Sequence, residues 1–138
     1  MSKPIFHAQS SARRFGGKAE EYLEIHNFMD SSKSTIADNR HRALTHNSWF
    51  ISVVIEKVFG YSFVNSAGRT VSTRDIAEQH VLEDFGGQYI PSAQDYLQEI
   101  EIQPWMNNGM GEKPASAKKL KGTAKGVRLN IRNVEIAD

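Results

Sequence analysis

The sequence contains no cysteine, so it forms neither a disulfide nor a thiolate metal site, and it offers no cysteine nucleophile. It also lacks an apolar run long enough for a membrane span, or for a signal peptide at its start. These absences favour a cytoplasmic location and argue against a membrane partner. Hydrophobic residues make up 39% of the 138, which is typical of a chain that folds around a core.

Proline and glycine are missing from residues 33–59, and this predicts one long helix. At about 100° per residue, the second half of that helix presents a purely apolar face. The first half places Arg40 and Asn47 on the same side, where a guanidinium needs a paired carboxylate or a wet cavity. We therefore expect the C-terminal half to be structural and the N-terminal half to line a polar site.

Glycine, proline and capping residues divide the rest of the chain into shorter elements. Helices are predicted around residues 18–29, 73–85 and 93–101. A β-hairpin with a glycine-containing turn is predicted just after Gly60. The predicted fold class is therefore α+β and mainly helical, with a long central helix packed by three shorter helices and one hairpin.

Composition changes sharply towards the C-terminus. Residues 1–106 are predicted to form a compact helical domain, and residues 107–126 a basic linker rich in glycine, lysine and alanine. Residues 127–138 alternate between apolar and polar side chains, which predicts a C-terminal extension that carries a strand.

All five histidines lie within the first 80 residues. Asp38 and His41 are three residues apart, and His80 and Asp84 are four apart, so each pair shares one side of its helix. His41 and His46, in contrast, would lie roughly 140° apart around a helix and do not form a local pair. Convergence of the two pairs suits a divalent metal, which is the candidate cofactor. The predicted metal ligands are His26, Asp38, His41, His80 and Asp84.

Acid–base chemistry without a metal is a second hypothesis, with Asp38, His41 and His80 as its catalytic groups. The candidate nucleophiles are then Ser10, Ser11 and Thr45. Neither a nucleophile elbow nor a His-Glu-x-x-His motif is present. The alternative to any site is a hydrogen-bonded core network, since a histidine near an apolar face is commonly buried and satisfied.

Arginines near the N-terminus suggest an anion site. Arg13 and Arg14 precede two glycines, and backbone of this kind ahead of a helix can hold a phosphate. If Arg40 faces the same pocket, the three arginines act as phosphate clamps. The sequence has no P-loop motif, so a solvated basic turn is the alternative.

The basic stretch from Lys113 to Arg132 contains no acidic residue, which predicts non-specific contact with nucleic acid phosphates. Aromatic residues for base stacking are absent from residues 107–138. An alternative is assembly, in which residues 127–136 add to a sheet edge of a second copy or of another protein subunit.

Four segments of the chain resemble an uncharacterised family of small bacterial and bacteriophage proteins. They are HAQSSARRFGG (7–17), ADNRHRAL (37–44), EQHVLEDFGG (78–87) and QPWM (103–106). The resemblance covers about residues 5–106 and implies a mostly helical domain from a bacterial or phage source. It implies no activity.

The sequence thus supports two hypotheses about function. In the first, a His/Asp/Arg site binds a phosphate-bearing ligand, and metal-dependent hydrolysis is the reaction. In the second, the chain is a non-enzymatic assembly protein whose extension docks on a neighbouring subunit or contacts nucleic acid. The first requires an open pocket at Arg40 and His41, whereas the second expects those groups to be closed off.

Overall fold

A computed structural model describes residues 3–118 of the chain. These residues divide into two compact units, one that ends at Ile100 and one that begins at Glu101. The second unit contains a short 3₁₀ helix at Pro104–Met106. The strand predicted in residues 127–138 lies outside the described residues, as does most of the basic stretch.

The first unit consists of short helices and one hairpin, so the predicted mainly helical α+β class is confirmed. Its α-helices are α1 (Pro4–Phe15), α2 (Glu20–Met29), α3 (Arg42–Thr45), α4 (Glu56–Phe59), α5 (Thr73–Asp84) and α6 (Ala93–Leu97). Its 3₁₀ helices are Ser31–Ser34 and Asn39–His41, and Phe50–Ile55 is π-helical. Strand β1 (Ser62–Val64) pairs antiparallel with β2 (Thr70–Ser72), with Phe63 opposite Val71.

Local sequence explains where the site-bearing helices begin and end. Helix α1 begins with Pro4, whose missing N–H costs nothing in the first turn, and ends at Gly16 with a φ of 86°. Helix α5 begins after Ser72, whose side chain accepts a hydrogen bond from the Asp75 backbone N–H.

The single long helix predicted for residues 33–59 is wrong, because the chain leaves the helical path at His46 (φ −100°, ψ 56°). The Asn47 side chain accepts a hydrogen bond from the Phe50 N–H at 2.9 Å and so caps a new helical run over residues 48–59. Tyr96 also donates its hydroxyl to the His46 carbonyl at 2.9 Å. The hydrogen bonds of Asn47 and Tyr96 thus replace helical backbone hydrogen bonds, and the helix breaks although the segment contains no proline or glycine.

Helices α1, α2 and α5 pack against one another, and α2 and α5 also contact the helical run over residues 48–59. Their facing sides bury Tyr22, Ile25, Met29, Ile51, Ile55, Ile76 and Val81. Beside this apolar core lies a second buried region that is polar and contains all five histidines, each no more than 1% exposed. Among the described residues, no helix is both long enough and apolar enough to cross a membrane.

Candidate metal centre

Three segments of the fold bring two histidines and two aspartates together. Asp30 caps the C-terminus of α2, His46 follows α3 where the chain leaves its helical path, and His80 and Asp84 lie one turn apart on α5. Each offers one nitrogen or oxygen atom, and these four atoms lie within 4.8 Å of one another. Both carboxylates are almost fully buried, at 5% and 2% exposure.

Each histidine of this group directs Nε2 at both carboxylates. His46 Nε2 lies 2.9 Å from Asp84 Oδ2 and 3.6 Å from Asp30 Oδ1. His80 Nε2 lies 3.2 Å from Asp30 Oδ1 and 3.4 Å from Asp84 Oδ2. The donor atoms thus surround one point with two imidazole nitrogens and two carboxylate oxygens.

A chain of hydrogen bonds through His26 decides which nitrogens of this region carry protons. The Gln79 amide nitrogen faces acceptors, the His7 carbonyl and a Glu83 carboxylate oxygen, each at 3.1 Å. Its amide oxygen therefore faces Ser11 Oγ at 2.7 Å and accepts the hydroxyl proton. Ser11 Oγ also lies 2.8 Å from His26 Nε2, so that ring nitrogen must be the donor.

The chain continues from His26 to His80, whose Nδ1 atoms are 2.9 Å apart. Burial is the main cause that lowers the pKa of His26 to about 2, so this ring is neutral and its Nδ1 can only accept. His80 therefore donates from Nδ1. Burial also lowers the pKa of His80, and in the neutral ring Nε2 then carries a lone pair.

This lone pair points at the two carboxylate oxygens of Asp30 and Asp84, and three electron-rich atoms repel one another unless a cation lies among them. The reverse arrangement of protons would let His80 donate to Asp30. It would also leave the buried Gln79 amide oxygen without the Ser11 proton, which is costly. A metal ion at this point would satisfy every group of the chain at once.

His46 has a matching outer partner. Its Nδ1 lies 2.8 Å from Thr45 Oγ1, which lies 3.0 Å from Ser32 Oγ, and Ser32 Oγ lies 2.7 Å from His41 Nδ1. With His46 donating from Nδ1, each hydroxyl passes its proton to the next acceptor and the chain ends on His41. Metal-bound histidines typically donate their other ring N–H in this way.

Both aspartates of the group remain ionised. Burial raises the pKa of Asp84, but the nearby His46, His7 and His80 side chains outweigh burial and hold that pKa well below its usual range. Burial likewise raises the pKa of Asp30, and His80 and Lys33 more than offset that effect. Lys33 Nζ lies 3.3 Å from Asp30 Oδ2 and offsets part of this buried negative charge, and a bound cation would offset the rest.

The sequence-based ligand prediction contains two members of this group, His80 and Asp84. His26 and His41 are buried in the hydrogen-bond chains around it. Asp38 lies on the surface, 55% exposed, in an ion pair with Arg40.

The group also contains Asp30 and His46, which the sequence analysis did not predict. Asp30 directly follows the helix predicted around residues 18–29. His46 was excluded on the assumption of one continuous helix, and the break at His46 removes that assumption. The pair Asn47 and Phe50 carried a usable signal, since an asparagine three residues before an apolar helical run is a typical N-cap.

The predicted phosphate clamps lie on the surface. Arg40 is 84% exposed and binds Asp38 at 2.8 Å, so its predicted inward orientation is wrong. The nearby carboxylate, two residues away, pairs with it locally and removes the need for an interior partner. Arg13 and Arg14 are also exposed, and Arg14 lies over the Phe15 ring at 5.1 Å.

These features define a mainly helical α+β domain with a His/Asp group in its interior. The chain belongs to a family described as a domain of unknown function, DUF6915, whose model matches residues 2–106. This match confirms the resemblance to an uncharacterised family, and a bacterial or phage source stays a prediction. Neither the curated proteins nor the solved structures include a significant match to the chain.

Proposed function

We propose that the chain is a metal-binding protein in which Asp30, His46, His80 and Asp84 hold one divalent ion. The observation that supports this most is the convergence of their four ligand atoms within 4.8 Å. The hydrogen-bond chain behind His80 adds to it, because that chain leaves a lone pair facing two carboxylates. A divalent ion offsets the two buried negative charges and orders three chain segments around one point.

The donor set limits which metals fit. Two imidazole nitrogens and two carboxylate oxygens suit Zn²⁺, Mn²⁺, Fe²⁺ or Co²⁺, whereas an all-oxygen shell would suit Mg²⁺ or Ca²⁺. Zn²⁺ is commonly four-coordinate and tetrahedral in proteins. The hydroxyl and imidazole partners behind both histidines keep their Nε2 atoms directed inward, which favours nitrogen-binding ions.

The catalytic form of this proposal is hydrolysis. A bound divalent ion lowers the pKa of a coordinated water to about 7 and supplies a hydroxide nucleophile near neutral pH. Phosphate-bearing compounds are the first substrate class to test, because such ions also polarise phosphoryl oxygens. A hydrolytic centre needs a coordination position that water and substrate can reach.

A structural role is the second candidate, and the burial of all four ligands favours it. Closed sites with four protein ligands are typical of metals that stabilise a fold. In this form the chain is a non-enzymatic protein that the ion stabilises, in line with the alternative of an assembly protein. The extension proposed to dock on a neighbour, residues 127–136, lies outside the described residues.

Reconstitution of metal-free protein with Co²⁺ tests the proposal, because visible absorption reports the coordination of this ion. We expect at least one Co²⁺ site per chain in the parent and in Asp38→Asn, which removes a surface ion pair and keeps a side-chain oxygen that can cap Asn39–His41. The site should be lost in Asp84→Asn. Hydrolysis of model phosphoesters by the loaded parent alone would assign the catalytic form, and inert loaded protein the structural form. A parent that binds no Co²⁺ would contradict both.

A further inference from the structure

His7 is a buried histidine outside the four-residue group, and its position needs an explanation. It lies on α1 and is 1% exposed. Its Nδ1 lies 2.7 Å from Glu83 Oε1, and its Nε2 makes no hydrogen bond of acceptable geometry within the described residues. That nitrogen lies 3.3 Å from Asp84 Oδ1, at ion-pair distance.

Glu83 holds this ring in place from the side away from Asp84. One carboxylate oxygen accepts from His7 Nδ1 and from Gln79 Nε2 at 3.1 Å, and the other accepts from Ser10. With Nδ1 directed at Glu83, the ring presents Nε2 to Asp84 Oδ1, where a metal ion can take the place of a proton. A carboxylate that binds the outer nitrogen of an inward-facing histidine is the pattern found behind metal ligands.

Asp84 is therefore approached from both of its oxygens. Oδ2 faces His80 Nε2 at 3.4 Å and His46 Nε2 at 2.9 Å. Oδ1 faces His7 Nε2 at 3.3 Å. A carboxylate with imidazole nitrogens at each oxygen is arranged as a bridge between two positions rather than as a ligand of one.

The spacing of the histidine rings agrees with two positions. The rings of His7 and His80 are stacked, with centroids 3.9 Å apart and an angle of 29° between their planes. The Nε2 atoms of these two rings face different oxygens of Asp84, so they address separate points. Paired metal ions bridged in hydrolytic enzymes lie about 3.5–4 Å apart.

We propose that His7 Nε2 and Asp84 Oδ1 bind a second divalent ion, and that Asp84 bridges it to the ion of the four-residue group. This inference rests on the proposed function, since the bridge requires the first ion. The second ion has two protein ligands, so its remaining positions are open to water or to a phosphoryl oxygen. Glu83 next to it reaches the surface, with its side chain 36% exposed.

The second ion would add coordination positions that the protein ligands do not fill, and hydrolysis needs such positions. The first ion, enclosed by four protein ligands, holds α2, α5 and the segment after α3 together. The second polarises the substrate or carries the attacking water. Two ions flanking one reacting group stabilise both the attacking and the leaving oxygen of a displacement.

The test counts ions on metal-free full-length protein, with Mn²⁺ as the probe, by equilibrium dialysis and electron paramagnetic resonance. We expect two Mn²⁺ per parent chain and an exchange-coupled spectrum, because ions this close interact magnetically. His7→Gln should bind one Mn²⁺ with the spectrum of an isolated ion. Gln9→Ala, an exposed change on the same helix, should keep two coupled ions.

Several outcomes would overturn the inference. One uncoupled Mn²⁺ in the parent would leave the proposed function intact and remove the second site. Two ions in His7→Gln would show that the second ion binds elsewhere. No Mn²⁺ in the parent would contradict the second ion together with the proposed function. If His7→Gln does not fold, the ion count and the magnetic coupling in the parent still show whether a second ion binds next to the first.

Discussion

The interior of this domain has an apolar half and a polar half, built from the same helices. Helix α2 places Ile25 in the first and His26 in the second, and α5 does the same with Ile76 and His80. The apolar half is complete as it stands, because burial alone stabilises each large side chain by about 1.5–3 kcal/mol. On the proposed function, a divalent cation completes the polar half.

Residues of a single helix thus serve two purposes, since some stabilise the apolar half and others belong to the candidate metal centre. Apolar side chains tolerate one another in many arrangements of the right volume. The polar half depends instead on direction, since the Ser11 proton determines the donor at His26 and so the free nitrogen of His80. A change in the apolar half should therefore alter stability alone, whereas a change in the polar half should alter metal binding first.

Asp84→Asn should break the comparison most strongly. It keeps the volume but removes the carboxylate that faces His7, His46 and His80. We expect metal binding to be lost and the free energy of unfolding of metal-treated protein to fall by about 3–5 kcal/mol. Titration calorimetry and chemical denaturation measure both. Unchanged metal affinity in a folded variant would remove Asp84 from the centre.

Ile55→Ala is the matching change in the apolar half, at a side chain that is 0% exposed. We expect a loss of about 2–5 kcal/mol in the free energy of unfolding, since a cavity is left in a packed core. Metal affinity measured below the unfolding transition should stay at the parent value. A large loss of affinity would show that the two halves are energetically coupled.

Thr45→Val sharpens the comparison within the polar half. The change preserves the side-chain shape and removes the hydroxyl that lies 2.8 Å from His46 Nδ1. Loss of such an outer partner typically weakens metal binding about 10–100-fold. Ser52→Ala, which removes a hydroxyl bonded to its own helix backbone, is the matched control and should bind metal as the parent does.

Arg40→Leu should have the smallest effect. The guanidinium is 84% exposed and pairs only locally with Asp38 in the described structure. We expect unchanged metal affinity and an unfolding transition within error of the parent, because exposed ion pairs contribute little. A loss of metal binding in this variant would show that Arg40, in the N-terminal part of the predicted helix, contributes to the metal centre.

The fold class and half of the ligand group could be predicted from sequence. Helix α5 carries a clear N-cap and a His80/Asp84 spacing of four, so both its extent and the side that carries this pair follow from local rules. The same holds for the apolar face of residues 48–59. These features depend on periodicity and capping within a few residues.

The other half of the group depends on tertiary contacts. His46 leaves the helix where Asn47 caps the next one and where Tyr96, fifty residues later, binds the His46 carbonyl. Asp30 reaches His80 only because α2 packs against α5. The helical periodicity assumed for residues 33–59 predicted that Arg40 faces inward. The chain instead forms a short 3₁₀ helix at Asn39–His41, and Arg40 pairs with Asp38 at the surface.

The most direct test of the central claim is the metal content per chain, measured by elemental mass spectrometry on protein purified without chelators. The account predicts at least one equivalent of a transition metal in the parent and in Asp38→Asn, and almost none in Asp84→Asn. A parent that carries no metal, and takes up none when Zn²⁺, Mn²⁺, Fe²⁺ or Co²⁺ is supplied to the metal-free chain, would contradict it. The polar half would then be a satisfied core network.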